Sequence, residues 1–228
     1  MDEKGWLQHR ATAEQLKFFE DQGYLIVKDA LEPEMLTRLN EAVDRVWERE
    51  QADKELGPDD SCIKFRTIVE DDTFLDLLDN PRTFPLLWDI LGWNIQLYIS
   101  HLILYPPEPP GGEDTKGGWH QDGGRPVPEM ERPQPRLSLK ISYWLSDVDT
   151  PEHGAFTIVP GSHKLDNQPE ACRTGEGALP VCVQAGDAVL FDRRLWHRRG
   201  YNTSDVTRRV LFFGYSYRWL RGLDYNNL

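Results

Sequence analysis

The sequence holds only three cysteines, Cys62, Cys172 and Cys182, an odd number with neither CxxC spacing nor a histidine at zinc-finger distance. That excludes a disulfide scaffold and a structural zinc site, and the thiols read as reduced and structural. Long hydrophobic runs are also missing: the longest, 95–104, carries His101 and is too short to cross a bilayer. Basic residues are scarce, 26 Lys and Arg against 38 Asp and Glu, and a net charge of −12 repels nucleic acid and anionic lipid. The opening Met1-Asp2-Glu3-Lys4 lacks a basic stretch followed by an apolar one, so a cytoplasmic protein is expected. Small molecules, not polyanions or membranes, are the expected partners, with a monomer or homodimer as the assembly.

What is present suits a sizeable core: 228 residues, 39% hydrophobic and 11% aromatic, expected to form one domain. Thr12, Glu14 and Gln15 precede apolar Leu16 and Phe19, which predicts a capped helix over 12–20 that Gly23 stops. Tyr24-Leu25-Ile26-Val27 then reads as a strand. Pro33 opens a second helix, whose apolar positions recur at three to four residues as far as Gln51. The polar stretch 52–61 predicts a loop, 63–69 a strand, and 73–78 and 81–91 further helices. From residue 95 the pattern changes to short branched and aromatic runs at 95–105, 137–145, 155–159, 188–192 and 208–217. Strands following helices in this way predict a mainly β sandwich or barrel with helices packed on one sheet. The Pro-rich stretches 106–118 and 125–135 are long enough to be candidate lids.

The chemistry gathers around Trp119-His120-Gln121-Asp122. In an extended strand His120 and Asp122 point to one face and can meet one ion. A further ligand is available in His197, which follows the apolar run Ala188-Val189-Leu190-Phe191. Two imidazoles and one carboxylate form the facial triad of non-haem Fe(II) oxygenases, which leaves metal positions open for cosubstrate and O2. Eleven residues after His197 stands Arg208, whose planar guanidinium suits the distal carboxylate of a keto diacid.

At this point the sequence resembles the phytanoyl-CoA dioxygenase family of Fe(II)/2-oxoglutarate oxygenases. The matching pieces are FFEDQGYLIVKDALEP (18–33), WHQDGG (119–124), GAFTIVPGSHK (154–164), AGDAVLFDRRLWHRRGYNTSD (185–205) and TRRVLFFGY (207–215). HxD alone is a weak signal, but HxD, PGSHK, GDAVLFD and then His with Asn five and Arg eleven residues later is a specific series. The resemblance implies a double-stranded β-helix, also called a jelly roll or cupin-like fold. It further implies that His120, Asp122 and His197 bind Fe(II) and Arg208 the far carboxylate of 2-oxoglutarate, with Lys64 of IKFRTIVEDD as a second contact. The implied reaction hydroxylates an unactivated C–H of a small molecule while 2-oxoglutarate and O2 become succinate and CO2. Related halogenases replace the carboxylate ligand by a small residue, so Asp122 speaks against halogenation. The sequence departs from the family at Arg199, where a small hydroxyl residue is usual.

Around His197, strand alternation places Arg193, Leu195 and Arg199 on the metal face, making Arg193 and Arg199 candidates for an anionic group of the substrate. Trp119, beside the metal motif, is a candidate for either pocket wall or scaffold. One of Tyr143 and Trp144 must face the interior, and Lys140 on the same run would be costly inside unless paired with an anion. His163 reads as a turn residue, His101 as strand packing and His153 as loop. Two other functions compete: a cupin-like metalloenzyme that does not use 2-oxoglutarate, against which Arg208 counts, and a non-catalytic jelly-roll binding module, against which the complete triad counts.

Overall fold

The computed structural model describes residues 5–109, 118–122, 130, 134–222 and 224. Helix α1, Ala13–Gln22, begins at a capping box in which Thr12 accepts from the Gln15 backbone N–H and the Gln15 side chain accepts from that of Thr12. It ends at Gly23, whose φ of 84° is the left-handed conformation open to glycine. Strand β1 is Tyr24–Val27, and α2 is Pro33–Lys54, with its proline in the first turn. Helix α2 runs three residues past Gln51, because Lys54 stays on the helix to pair with Glu50 one turn back, 2.5 Å away. The predicted loop 52–61 is correspondingly shorter.

Strand β2 is Cys62–Phe65 and stops at Arg66, which takes a positive φ of 61° and turns the chain into a 3-10 segment over Thr67–Val69. The predicted helix 73–78 is a 3-10 segment, Asp72–Leu77, opened by the Asp71 side chain. Helix α3, Phe84–Leu91, starts later than 81 because the Asn80 side chain accepts from the backbone of Arg82 and Thr83 and holds a turn there. The remaining elements are β3 (Ile95–Tyr105), β4 (Ser138–Trp144), β5 (Phe156–Ile158), α4 (Ala171–Thr174), β6 (Leu179–Val181), β7 (Ala188–Asp192), β8 (His197–Arg198) and β9 (Arg208–Tyr217).

Two sheets form, in the orders β1-β7-β4-β9-β3-β2 and β6-β5-β8, and every recorded pairing is antiparallel. This is the jelly roll with helices on one sheet. Alternation sorts the large sheet into two faces. Leu139, Ile141, Tyr143, Leu211, Phe213 and Tyr215 point toward α2, α3 and the 3-10 segments, joining Leu39, Val43, Phe74 and Leu87 in one core. Trp144, Val189, Phe191, Val210 and Phe212 point the other way, onto Phe156, Ile158 and Val181 of the small sheet. The helices thus seal one face of the large sheet and leave the space between the sheets for a site.

Among the described residues no helix is long and apolar enough to cross a membrane. Most of the two Pro-rich stretches lies outside the described residues, and with it the lid expectation.

Candidate metal centre

His120 and His197 lie opposite each other and exchange backbone hydrogen bonds, His120 N to His197 O at 2.9 Å and His197 N to His120 O at 3.0 Å. The pairing is local and antiparallel, and it sets the two rings 4.3 Å apart between centroids. Asp122 is fixed from the same edge, its N–H donating to Arg193 O at 2.7 Å. One ligand atom from each of His120, Asp122 and His197 falls within 4.8 Å of the others.

The hydrogen-bond arrangement favours a cation between them. Each imidazole Nδ1 lies against a backbone carbonyl, His120 on Gly118 O at 2.9 Å and His197 on Leu195 O at 2.8 Å. An N–H there leaves each Nε2 as a bare lone pair, the form that binds a metal. Burial pushes His197 down to about 4, against the opposing pull of Asp122, so its ring is neutral at pH 7. Burial would raise the Asp122 carboxyl, but the Lys140 ammonium together with His197 and His120 outweighs it and holds the carboxyl well below the usual range.

Asp122 supplies the test of fit. Its Oδ1 takes the Lys140 ammonium at 2.9 Å. Its Oδ2 is buried without a hydrogen-bond partner and stands 3.8 Å from His197 Nε2. A buried carboxylate oxygen left bare is costly unless something absent from the protein itself completes it, and a divalent cation shared with two imidazoles does so. The residues fit the metal.

The triad opens on a cavity of about 480 Å3 between the sheets, within the range usual for small-molecule sites. Arg208, at the start of β9, lines it and is buried. Its guanidinium donates to Gly154 O and lies 4.7 Å from the Tyr105 ring centre. Arg199 also lines the cavity, as alternation expects, but its charge is already matched: Nη1 and Nη2 donate to the Glu108 carboxylate at 2.7 and 2.8 Å. Tyr105 therefore lies between two guanidiniums, with Arg199 4.6 Å from its ring centre.

Three of the candidate residues lie outside the described cavity lining. Lys64 is outside the cavity, which its neighbours Ile63 and Phe65 line instead; its ammonium is held by Glu50 at 2.6 Å and Glu70 at 3.0 Å. In a two-residue period, a strand that offers 63 and 65 to the pocket must turn 64 away. Arg193 is absent from the lining because 193–196 is a turn rather than a strand, and its Nη2 lies 3.4 Å from Gln134 Oε1. Trp119 is not in the described lining; its ring lies under the Arg198 guanidinium at 5.1 Å. His101, read as strand packing, lines the cavity. It stacks on Phe212 at 4.8 Å and 9°, and burial with Lys140 nearby pushes it down to about 3. Trp144 faces the cavity, whereas Tyr143 packs on the helical side with its hydroxyl 2.7 Å from Thr83. Gln121 turns from the metal face and donates to Arg194 O. Sequence reasoning missed Glu108, which sits in a Pro-rich stretch and finds Arg199 ninety-one residues away.

Residues 19–210 match the family described as Phytanoyl-CoA dioxygenase (PhyH). The chain belongs to that family. Membership in the phytanoyl-CoA dioxygenase family makes it an Fe(II)- and 2-oxoglutarate-dependent dioxygenase, in agreement with the triad geometry. Among curated relatives, an uncharacterised protein of Mycobacterium tuberculosis is 28% identical over 195 residues, covering 83% of this chain and 69% of that one. The ectoine dioxygenase of Nocardia farcinica is 26% identical over 236 residues, covering 88% and 76%. HygX from Streptomyces hygroscopicus, solved with nickel and 2-oxoglutarate bound, superposes with a TM-score of 0.74 at 17% identity, covering 93% of this chain and 90% of that one. At that identity the likeness speaks for the shared jelly roll.

Proposed function

We propose that this dioxygenase hydroxylates an unactivated C–H of a small molecule while 2-oxoglutarate and O2 are converted to succinate and CO2. The observation that carries the reading is the convergence of two imidazoles, each with Nδ1 against a backbone carbonyl, and one partnerless buried carboxylate oxygen. His120, Asp122 and His197 would hold Fe(II), which supplies O2 activation when bound. Arg208 would clamp the distal carboxylate of 2-oxoglutarate. It is a buried cation at the cavity wall, with its guanidinium donating to Gly154 O. Phe156 and Phe191 pack against the His197 ring at 5.1 and 5.3 Å and fix its plane. Retention of Asp122 supports hydroxylation over halogenation, since the carboxylate occupies the position a halide would take.

A cupin-like enzyme without a keto acid would have no use for a buried Arg208 at the cavity, and a binding module would have no use for an open triad. The test is an anaerobic titration of metal-free protein with Fe(II) and then 2-oxoglutarate, following the weak visible charge-transfer band of a chelated keto acid. The band is expected in the wild type and in Lys64→Met, and weakened in Arg208→Ala. Full succinate formation by His120→Ala or His197→Ala would refute the triad. Absence of the band despite bound Fe(II) would refute the use of 2-oxoglutarate.

A further inference from the structure

Strand β3 changes face part-way along. Ile95 and Leu97 pack on the helix-side core, and so do Leu102 and Leu104, which a strict two-residue period cannot arrange. The switch is a β-bulge: Leu97 pairs with Tyr215 and Ile99 with Gly214, so Tyr98 is an extra residue with no partner on β9. Tyr98 therefore lines the cavity together with Ile99, and His101, Ile103 and Tyr105 follow on that face. Gly214 supplies the room. Its backbone is not left-handed, yet a Cβ there would stand 2.7 Å from Cε1 of the Tyr98 ring and 2.5 Å from Cγ2 of Ile99. An inserted residue on one strand and a missing side chain on the next thus serve one ring.

That ring ends in a hydroxyl for which the protein has little use. Tyr98 is buried, and its oxygen meets only Ser138 Oγ, at 3.5 Å and with the serine as donor, so the phenolic proton has no acceptor among the described residues. A buried tyrosine ordinarily gives that proton to a partner. Burial raises the phenol, which keeps its proton, and Lys140 and Asp122 are near enough to act on it electrostatically. Those two are paired with each other at 2.9 Å. His101, on the same face of β3, is pushed down to about 3 and is also uncharged. The strand therefore offers a neutral donor beside an ion pair that is already closed.

We propose that Tyr98 is a specificity-determining residue of the site, its hydroxyl donating to an uncharged carbonyl or hydroxyl oxygen on an otherwise apolar substrate. The inference rests on the reading of the site as a metal and 2-oxoglutarate centre and names the substrate class of that site. An anionic group gains little here, because Lys140 would have to leave Asp122 to meet it. A neutral oxygen accepts the phenolic proton and leaves the ion pair intact. The body of the substrate faces Ile63, Phe65, Ile103 and Phe212, which suit a hydrocarbon framework rather than a polyhydroxylated one.

The experiment measures equilibrium binding by calorimetry to the Ni(II)-loaded protein with 2-oxoglutarate present, a form that does not turn over. The probes are acetophenone and α-methylstyrene, which share a shape and differ in a carbonyl oxygen against a methylene. Tyr98→Phe removes one oxygen and keeps the ring. It is expected to weaken acetophenone binding by about five- to tenfold and to change the affinities for α-methylstyrene and 2-oxoglutarate by less than about twofold. Equal changes for the two probes, which would leave the tyrosine a packing role, overturn the proposal. So does an unchanged acetophenone affinity in Tyr98→Phe, or no binding of acetophenone to the wild type. A loss of 2-oxoglutarate affinity as large as the loss for acetophenone also overturns it, by giving the hydroxyl to the cosubstrate. Failure of the underlying reading is separate: it shows as a missing Fe(II) charge-transfer band in the wild type, whatever the probes do.

Discussion

Lys64 and Arg208 differ in what faces them. Lys64 sits between Glu50, whose side chain is 4% exposed, and Glu70, and its charge is consumed there. Lys64→Met is therefore expected to leave 2-oxoglutarate affinity unchanged and to lower stability by about 1–2 kcal/mol, through the buried Glu50 that loses a partner, read by urea denaturation. Arg208→Lys should instead weaken 2-oxoglutarate binding by about 10- to 100-fold at unchanged fold, because a point ammonium cannot reproduce the planar fork. Asp192 is a structural counterpart of Asp122: fully buried and clamped by Arg136 at 2.7 Å and Arg194 at 2.7 Å. Burial would raise its carboxyl, but Arg194 and Arg136 outweigh it and the net shift is downward. A carboxyl depressed in the folded state contributes stability that is present above its unfolded pKa and is lost as pH falls toward the folded one. Asp192→Asn should cost about 3 kcal/mol at pH 7, since two guanidiniums lose their counter-charge, and should flatten the acid limb of a stability curve below about pH 4. An unchanged acid limb would show that other carboxylates set it.

At the level of elements, the best-read pieces are those whose ends are written locally. Helix α1 has a capping box and a glycine stop within thirteen residues, and both act as the local pattern requires. Strands β3, β7 and β9 match their predicted ranges because branched and aromatic runs of that length have no competing helical period. Strand β8, only two residues long, has no such pattern and exists through its pairing with β5. Gly23 joins a local requirement to a distant one: it has the left-handed φ, and a Cβ there would stand 2.5 Å from the His163 ring. Gly23→Ala should therefore destabilise by more than the roughly 1 kcal/mol of backbone strain alone, and Gly23→Ala/His163→Ala should recover the excess. Additive losses in thermal denaturation would separate the two effects.

Across the molecule, a metal held by the triad would add a further link between two segments already joined by backbone hydrogen bonds, residues 118–122 and the β7–β8 connection. A ligand that binds only the folded state stabilises it by mass action, about 2.7 kcal/mol at a hundredfold excess over Kd. Loading with Ni(II) or Fe(II) should raise the melting temperature by several degrees, with chelation reversing the rise and His197→Ala removing it. A shift that persists in His197→Ala would place the metal elsewhere.

The sequence by itself determined the class of fold, the order of its elements and the identity of the ligand types. Those properties rest on short-range periodicity and on motifs whose chemistry is carried by residue type and spacing. Tertiary structure alone decided which cations are free to act. Lys64, Arg193 and Arg199 each look available along the chain. Lys64 is neutralised by Glu50 of α2 and by Glu70 at the end of the 3-10 segment, Arg193 sits in the turn after β7 with its Nη2 near Gln134, and Arg199 is matched by Glu108 ninety-one residues away. Lys140, costly by local logic, is the one set beside Asp122. Charge pairing depends on distance in space, and a sheet brings together residues that no local pattern connects.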